Sequence, residues 1–480
     1  MKLKRFLAAF IAFTMAVCVI PSAVLATESD QEPSESQPVV TSETEESETT
    51  IPSTSESETA KPSETVKQKS KNEVVTVKIG KVTYSFDDAT NKLTFSGNGV
   101  IGHNSAPDDS LWYKYSDVVE TVVIGKGITL IGDNAFYSFE KLTSVSIAST
   151  VTMIGKKAFE GCISLKSVSI PASVINIGDY AFRNCINLKS ISFPAGFQGF
   201  GRGAFQNCTS LTAVTIPGKV DSISQQAFEG CTSLKKVNLA NGVVRIYESA
   251  FASCTSLETI SLPGSVLYIF DSAFNNCENL KTVKLSVGLQ SIGYYVFQGC
   301  KSLTSINLPY GLKTIGSRAF ADCASLTSIT IPDTVINLYV FIFDGCTSLK
   351  QINIMEDLYK KNTTYTFDGT PEDLTINYLK DNPLTVKGKT AKVKYKKVRK
   401  KTRTVSASKV INSTKGTAPF IYTKLSGSKK ISINKYTGVV SVKKKTKRGT
   451  YKIKVKVMSA GNAVYKSSAW KTVKFKIKVK

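Results

Sequence analysis

Histidine is all but missing from this chain: His103 stands alone among 480 residues. A histidine-based triad or an imidazole metal site can form only around that one side chain. It sits in the polar loop GHNSAPDDS beside Asp108 and Asp109, a surface-loop setting without the partners that catalysis needs. The other paired carboxylates, Asp87 and Asp88, fall in a hairpin turn, where Asp serves the backbone. No glycine-rich loop follows a strand and opens a helix, which excludes a phosphate-cradling nucleotide site. Cys-x-x-Cys is absent as well, and no cofactor or metal is called for. The expectation is a protein without catalytic activity. A wall- or glycan-processing hydrolase, using His103 or a carboxylate pair, is the rival.

Charge of one sign is missing from each end. Residues 27–60 hold ten acidic groups and no basic one, while residues 382–480 hold thirty Lys or Arg and no acid. The stretch between them is nearly balanced, so the net charge of +25 describes no part of the molecule. Long apolar runs are missing too, outside the N-terminus. There Lys2, Lys4 and Arg5 precede the apolar stretch from Phe6 to Ile20, and Val24-Leu25-Ala26 offers a small-residue cleavage site. The run falls short of the roughly 20 residues a membrane span needs. Residues 1–26 therefore read as a signal peptide of an exported protein, with no integral span after cleavage. Residues 27–73 are Ser, Thr, Glu and Pro with almost nothing large and apolar, which predicts disorder.

What the chain has in quantity is repetition. Phe recurs at 136, 159, 182, 205, 228, 251, 274, 297, 320 and 343, always 23 residues on. Leu recurs on the same step from Leu142 to Leu349, each followed by the pattern Leu-x-x-Val-x-Ile. A fixed period of this length predicts a solenoid, whose coils bury their apolar faces only against their neighbours. Period-two alternation makes Val-x-Ile a strand, and Pro171, Pro194, Pro217, Pro263, Pro309 and Pro332 mark strand ends. Eleven stacked strands from Val119 to Ile354 would span about 50 Å. Ahead of them, Val82, Tyr84 and Phe86, the turn from Asp87 to Asn91, and then Leu93 and Phe95 predict a β-hairpin.

Stretches such as AFEGCISLKSVSIP and AFADCASLTSITIP resemble the BspA-like leucine-rich repeat family of bacterial surface proteins. The resemblance covers residues 119–354, with the hairpin and Trp112 matching an N-terminal cap. Residues 365–376 match a degenerate last coil, one residue out of register. It implies a binding or adhesion surface. In the tail, TYKIKVKV and VKFKIKVK alternate strictly, and Thr437-Gly438 turns between ISINKY and VVSV. These strands resemble bacterial immunoglobulin-like domains.

The expected fold is thus mainly β: a right-handed leucine-rich repeat solenoid of 23-residue coils with an N-terminal β cap, plus a C-terminal immunoglobulin-like β-sandwich. The expected parts are 1–26, 27–73, the cap at 74–118, the solenoid with its C-terminal cap at 119–381, and the basic sandwich at 382–480.

Nine cysteines, Cys162 to Cys346, also fall on the 23-residue step, with Phe139 in that slot of the first coil. One cysteine per coil cannot enclose a metal ion, and in-register side chains point the same way, which disfavours disulfides. Buried free thiols acting as small hydrophobes are the expectation.

Two sets of binding residues follow. Thirty cations without an anion favour a polyanion, and Lys394, Lys396, Lys397, Arg399, Lys400, Lys443, Lys444, Lys445, Lys447 and Arg448 form the densest runs. For an exported protein that partner is an anionic cell-wall polymer rather than a specific nucleic acid, and the place is the cell surface or wall. On the solenoid, Trp112, Tyr113, Tyr247, Tyr268, Phe270, Tyr294, Tyr295 and Tyr339 are candidates for an unknown protein or glycan ligand. Filling wide turns and covering the first coil are their plainer roles.

Overall fold

The computed structural model describes residues 73–102, 106–363, 365–415 and 419–480. The expected signal peptide, nearly all of the Ser/Thr-rich segment and His103 lie outside the described residues.

The repeat motif folds as its spacing requires. In strand Ser167–Ser169, Val168 is buried while both serines are exposed, and Ser190–Ser192 and Thr259–Ser261 repeat the arrangement. Eleven such strands, from Thr121–Ile124 to Gln351–Ile354, line one wall. They pair in parallel one repeat apart, with Ser144 opposite Ser167 and Ser167 opposite Ser190. Shorter strands, such as Asn176–Ile177 and Ser291–Ile292, form the opposite wall. Between the walls runs the phenylalanine column. Every ring from Phe136 to Phe343 is fully buried, and neighbours stack nearly parallel at 5.2 to 5.9 Å between centroids.

The third side of each coil turns through left-handed backbone twice. One series runs Ser138, Gly161, Asn184, Asn207, Gly230, Ser253 and Asn276 to Gly345, and apart from the two serines these are the residue types that tolerate positive φ. The other, four residues earlier, includes Lys157, Tyr180, Gln226, Tyr295, Arg318 and Phe341. Nothing in those side chains favours the conformation. It is held by coil-to-coil bonds in which the N–H of Lys157 meets the carbonyl of Asp179, and that of Tyr180 the carbonyl of Arg202.

The cysteines are free and buried, as expected, but they also bond. Each Sγ–H donates to the carbonyl of the phenylalanine 26 residues earlier: Cys162 to Phe136 at 3.2 Å, Cys254 to Phe228 at 3.2 Å, Cys346 to Phe320 at 3.0 Å. The cysteine slot therefore caps a buried carbonyl of the preceding coil as well as filling space.

Both ends are closed. The hairpin Val82–Asp87 and Lys92–Gly97 lays its second strand parallel to Thr121–Ile124. At the far end Thr375–Tyr378 pairs with Gln351–Ile354, and Phe367 lies 6.4 Å from Phe343, extending the column. This is the degenerate coil, entered through a short helix, Glu356–Lys361.

The tail builds two main sheets around a second core that includes Val405, Val440, Ile453, Val455, Phe475 and Ile477. One sheet orders Thr390–Val393, Lys471–Val479, Gly449–Ser459 and Phe420–Ser426, and the other Arg403–Val405, Val440–Val442 and Ile431–Ile433. The expected hairpin forms, with Ile431 opposite Val442. Gly438 at φ 63° packs against the Tyr422 ring, where a Cβ would collide at 2.5 Å.

Candidate binding surfaces

The cap answers the question of Trp112. It is 5% exposed, its Nε1–H donates to the Ala135 carbonyl at 2.7 Å, and its ring meets Phe95 and Tyr84 edge-on. Covering the first coil removes it from any surface for sugars or proteins, which corrects its candidacy as a ligand-stacking residue. Tyr113 is likewise packed edge-on against Phe139. The nearby carboxylates are structural: Asp87 accepts from the Ala89 N–H and the Thr90 hydroxyl, and Asp88 from the Glu73 N–H.

The outward face of the long wall is polar and largely satisfied by itself. Thr121 and Ser144 hydroxyls meet at 3.3 Å, Asn238 donates to Thr215 at 3.1 Å, and Asn353 to Thr330 at 3.0 Å. Each is a rung between equivalent positions of adjacent coils.

The remaining solenoid aromatics gather at one turn edge. Tyr247 stacks on Phe270 at 5.0 Å, and Tyr294 meets Tyr339 edge-on at 5.4 Å. Between them Gly293 and Gly316 occupy the slots that hold Phe270 and Tyr339 in flanking coils, leaving a notch of about 190 Å³. Tyr268, Phe270, Tyr294, Tyr339 and Asp271 line it. Tyr294 and Tyr339 remain about two-fifths exposed, and burial followed by Tyr339 raises the Tyr294 phenol. Tyr295, equally exposed, sits outside the notch at a left-handed position.

A larger cleft, about 710 Å³, opens where the tail meets the last coils. Its walls include Lys284, Asn307, Tyr310 and Asp333 from the solenoid and Pro419 and Tyr465 from the tail. Ser467 fastens it, donating through both its N–H and its hydroxyl to Asp333, while Lys466 pairs with Asp381 at 2.6 Å. No periodicity announces this contact, because Lys466 and Ser467 come from one tail loop and bond to single carboxylates, Asp333 of a coil and Asp381 beyond the last coil.

In the tail, the two basic runs come together although they lie some fifty residues apart in sequence. Lys394, Lys396, Lys397, Arg399 and Lys400 lie on or before the helix Tyr395–Lys400, and Lys443, Lys444, Lys445, Lys447 and Arg448 on the loop beside it. The Lys445 N–H donates to the Val398 carbonyl, and the Arg448 guanidinium covers the Tyr395 ring at 5.1 Å. All ten cations are exposed. The strict alternation of TYKIKVKV and VKFKIKVK puts lysines on one face of each strand, and the pairing joins those faces into a second basic surface on the outside of the four-stranded sheet. Register sets Lys452 opposite Lys476, Lys454 opposite Lys474, and Lys392 opposite Lys478.

Comparison with known proteins fits this architecture. The BspA type leucine-rich repeat region matches residues 109–220, 198–300 and 271–384, together more than half of the chain. A leucine-rich repeat protein from Bacteroides ovatus is similar at 21% identity, covering 63% of this chain and 100% of its own, with a TM-score of 0.37. One from Eubacterium ventriosum shares 23% identity over 63% of this chain and 96% of its own, with a TM-score of 0.40. A leucine-rich cell surface protein from Faecalibacterium prausnitzii shares 24% over 60% and 97%, with a TM-score of 0.27. No curated protein matches. Among the described residues no helix is long and apolar enough to cross a membrane. On the extent of the repeat match, the chain belongs to the BspA-type leucine-rich repeat family.

Proposed function

We propose that this is an exported, non-catalytic surface protein whose solenoid binds a protein or glycan and whose tail holds an anionic cell-wall polymer. The observation that carries the reading is the register of the tail's lysines. Lys452 faces Lys476 and Lys454 faces Lys474 across adjacent strands, in a segment of thirty cations and no anion. Like charges directly opposite destabilise a sheet. Lysines that served only solubility would be interspersed with glutamate or offset in register. A bound polyanion removes the repulsion, and outside a bacterial membrane the abundant polyanions are wall polymers with repeated phosphates. Lys2, Lys4 and Arg5 with the apolar run after them support export. On the solenoid, the aromatic notch at Tyr294 and Tyr339 is the surface best suited to a partner.

The test is co-sedimentation of the whole chain with Gram-positive walls across a salt series, before and after the phosphate polymer is stripped. Binding that releases steeply with salt and disappears on stripping supports the reading. Sedimentation indifferent to salt and to stripping overturns it.

A further inference from the structure

We infer that the cleft between strands Thr390–Val393 and Arg403–Val405 is a phosphate-binding site in which the Arg403 guanidinium is the fork. This rests on the polyanion reading above and names the place where one phosphodiester group is gripped rather than merely attracted.

The cleft measures about 690 Å³. Its lining includes Lys389, Lys392, Lys394, Lys397, Arg403 and Lys409, with no acidic residue, and the hydroxyls of Thr404, Ser406 and Ser408 add neutral donors. Arg403 is oddly placed for a surface cation. Alternation along its strand puts it on the same face as buried Val405, so it enters the gap between the sheets from the edge. Its Nε–H is buried without a hydrogen-bond partner, and the guanidinium takes part in none of the ion pairs among the described residues. A buried unpaired donor calls for an explanation, and a planar cationic fork surrounded by lysines and hydroxyls is the donor set of a tetrahedral oxyanion.

The position also connects to the lysine array. Lys392 lines the cleft and faces Lys478 on the neighbouring strand of the four-stranded sheet, from which Lys476 and Lys474 continue along the strand. Same-face lysines on a strand are about 6.7 Å apart. A phosphodiester repeat built on a three-carbon alcohol has as many backbone bonds as two residues of extended polypeptide. A polymer with one phosphate in the cleft can therefore keep its next phosphates in step with the array. The ligand class is a linear phosphodiester polymer, gripped at Arg403 and steered by the sheet.

The experiment titrates the whole chain with a glycerol-phosphate oligomer and, separately, with inorganic phosphate, following binding calorimetrically. Protection of Arg403 from an arginine-selective reagent is the second readout. We expect saturable oligomer binding, weakened about tenfold or more in Arg403→Gln and also in Arg403→Lys, which keeps the charge but loses the fork. Melting temperatures should be unchanged, and should Arg403→Gln fail to fold, Arg403→Lys carries the comparison. Oligomer binding equal to that of the parent chain in both variants overturns the site and leaves Arg403 as a guard of the sheet edge, while the anchor reading stands. Phosphate protecting Arg403 without any oligomer binding leaves a bare phosphate site and overturns both the polymer ligand and the anchor.

Discussion

The cysteine ladder makes the protein sensitive to alkali in a way that can be calculated. Burial raises the thiols of Cys162, Cys185, Cys208, Cys231, Cys254, Cys277, Cys300 and Cys323, and neighbouring cysteines add to this at several of them. For Cys231 and Cys277 the folded value is about 12, against 9.0 ordinarily. Below pH 9 both folded and unfolded chains keep these protons, so the stability is fully present. Above it the unfolded chain ionises and the folded chain does not, so stability falls as pH rises towards 12. Each thiol subtracts about 1 kcal/mol per pH unit in that window, and eight together on the order of 10 kcal/mol per unit. A typical net stability is about 5 to 15 kcal/mol, so the solenoid should melt within roughly one to two units above pH 9. Circular dichroism melts from pH 7.5 to 10.5 would follow it. Replacing Cys208, Cys231 and Cys254 by Ala should reduce the alkaline slope by about three-eighths, whatever it does to stability at pH 7. A melting temperature that holds to pH 10.5, or an unchanged slope in the variant, would refute the reasoning.

Other consequences are as direct. Phe251→Ala removes a fully buried ring stacked on Phe228 and Phe274, and should cost about 3–5 kcal/mol in denaturant unfolding. Lys454→Glu replaces a like-charged pair with Lys474 by an opposite one, and should stabilise the tail by about 0.5–1 kcal/mol while weakening polyanion binding. Asp333→Ala removes the acceptor of both Ser467 hydrogen bonds, and should speed hydrogen exchange in residues 460–468 with little change in the coils. Trp112→Phe loses the donor to the Ala135 carbonyl, and should cost about 1–3 kcal/mol, read as earlier melting of the cap.

The solenoid was legible because a repeat prints its structure many times over. Val168 between two serines specifies a strand face once, and the same triplet in coil after coil leaves one register. The last coil was legible even one residue out of step, since Phe367 and Ile376 keep their roles. The bonding of the cysteines was not, because a thiol that packs and a thiol that donates give the same pattern. Nor were the left-handed turns at Tyr180 and Phe341, which belong to the backbone between coils rather than to those side chains. In the candidate sites, sequence density pointed to Lys443–Lys445, where charge is contiguous along the chain. The array of Lys452, Lys454, Lys474 and Lys476 is contiguous only across strands, and pairing register decides it. Arg403 carries no local signal at all. Trp112 was open to both a cap and a binding role, with the cap the plainer one, because a tryptophan reads the same in either; burial decides for the cap.

The most direct test of the account is the salt dependence of binding to a purified glycerol-phosphate polymer. It should be measured for the whole chain and for a variant with Lys452, Lys454, Lys474 and Lys476 changed to Gln. In single-stranded nucleic acid each neutralised phosphate contributes about 0.7 unit to the slope of log K against log salt. A steep slope is expected for the parent chain and one shallower by about two to four units for the variant. Equal slopes, or no binding by the parent chain at moderate salt, would contradict it.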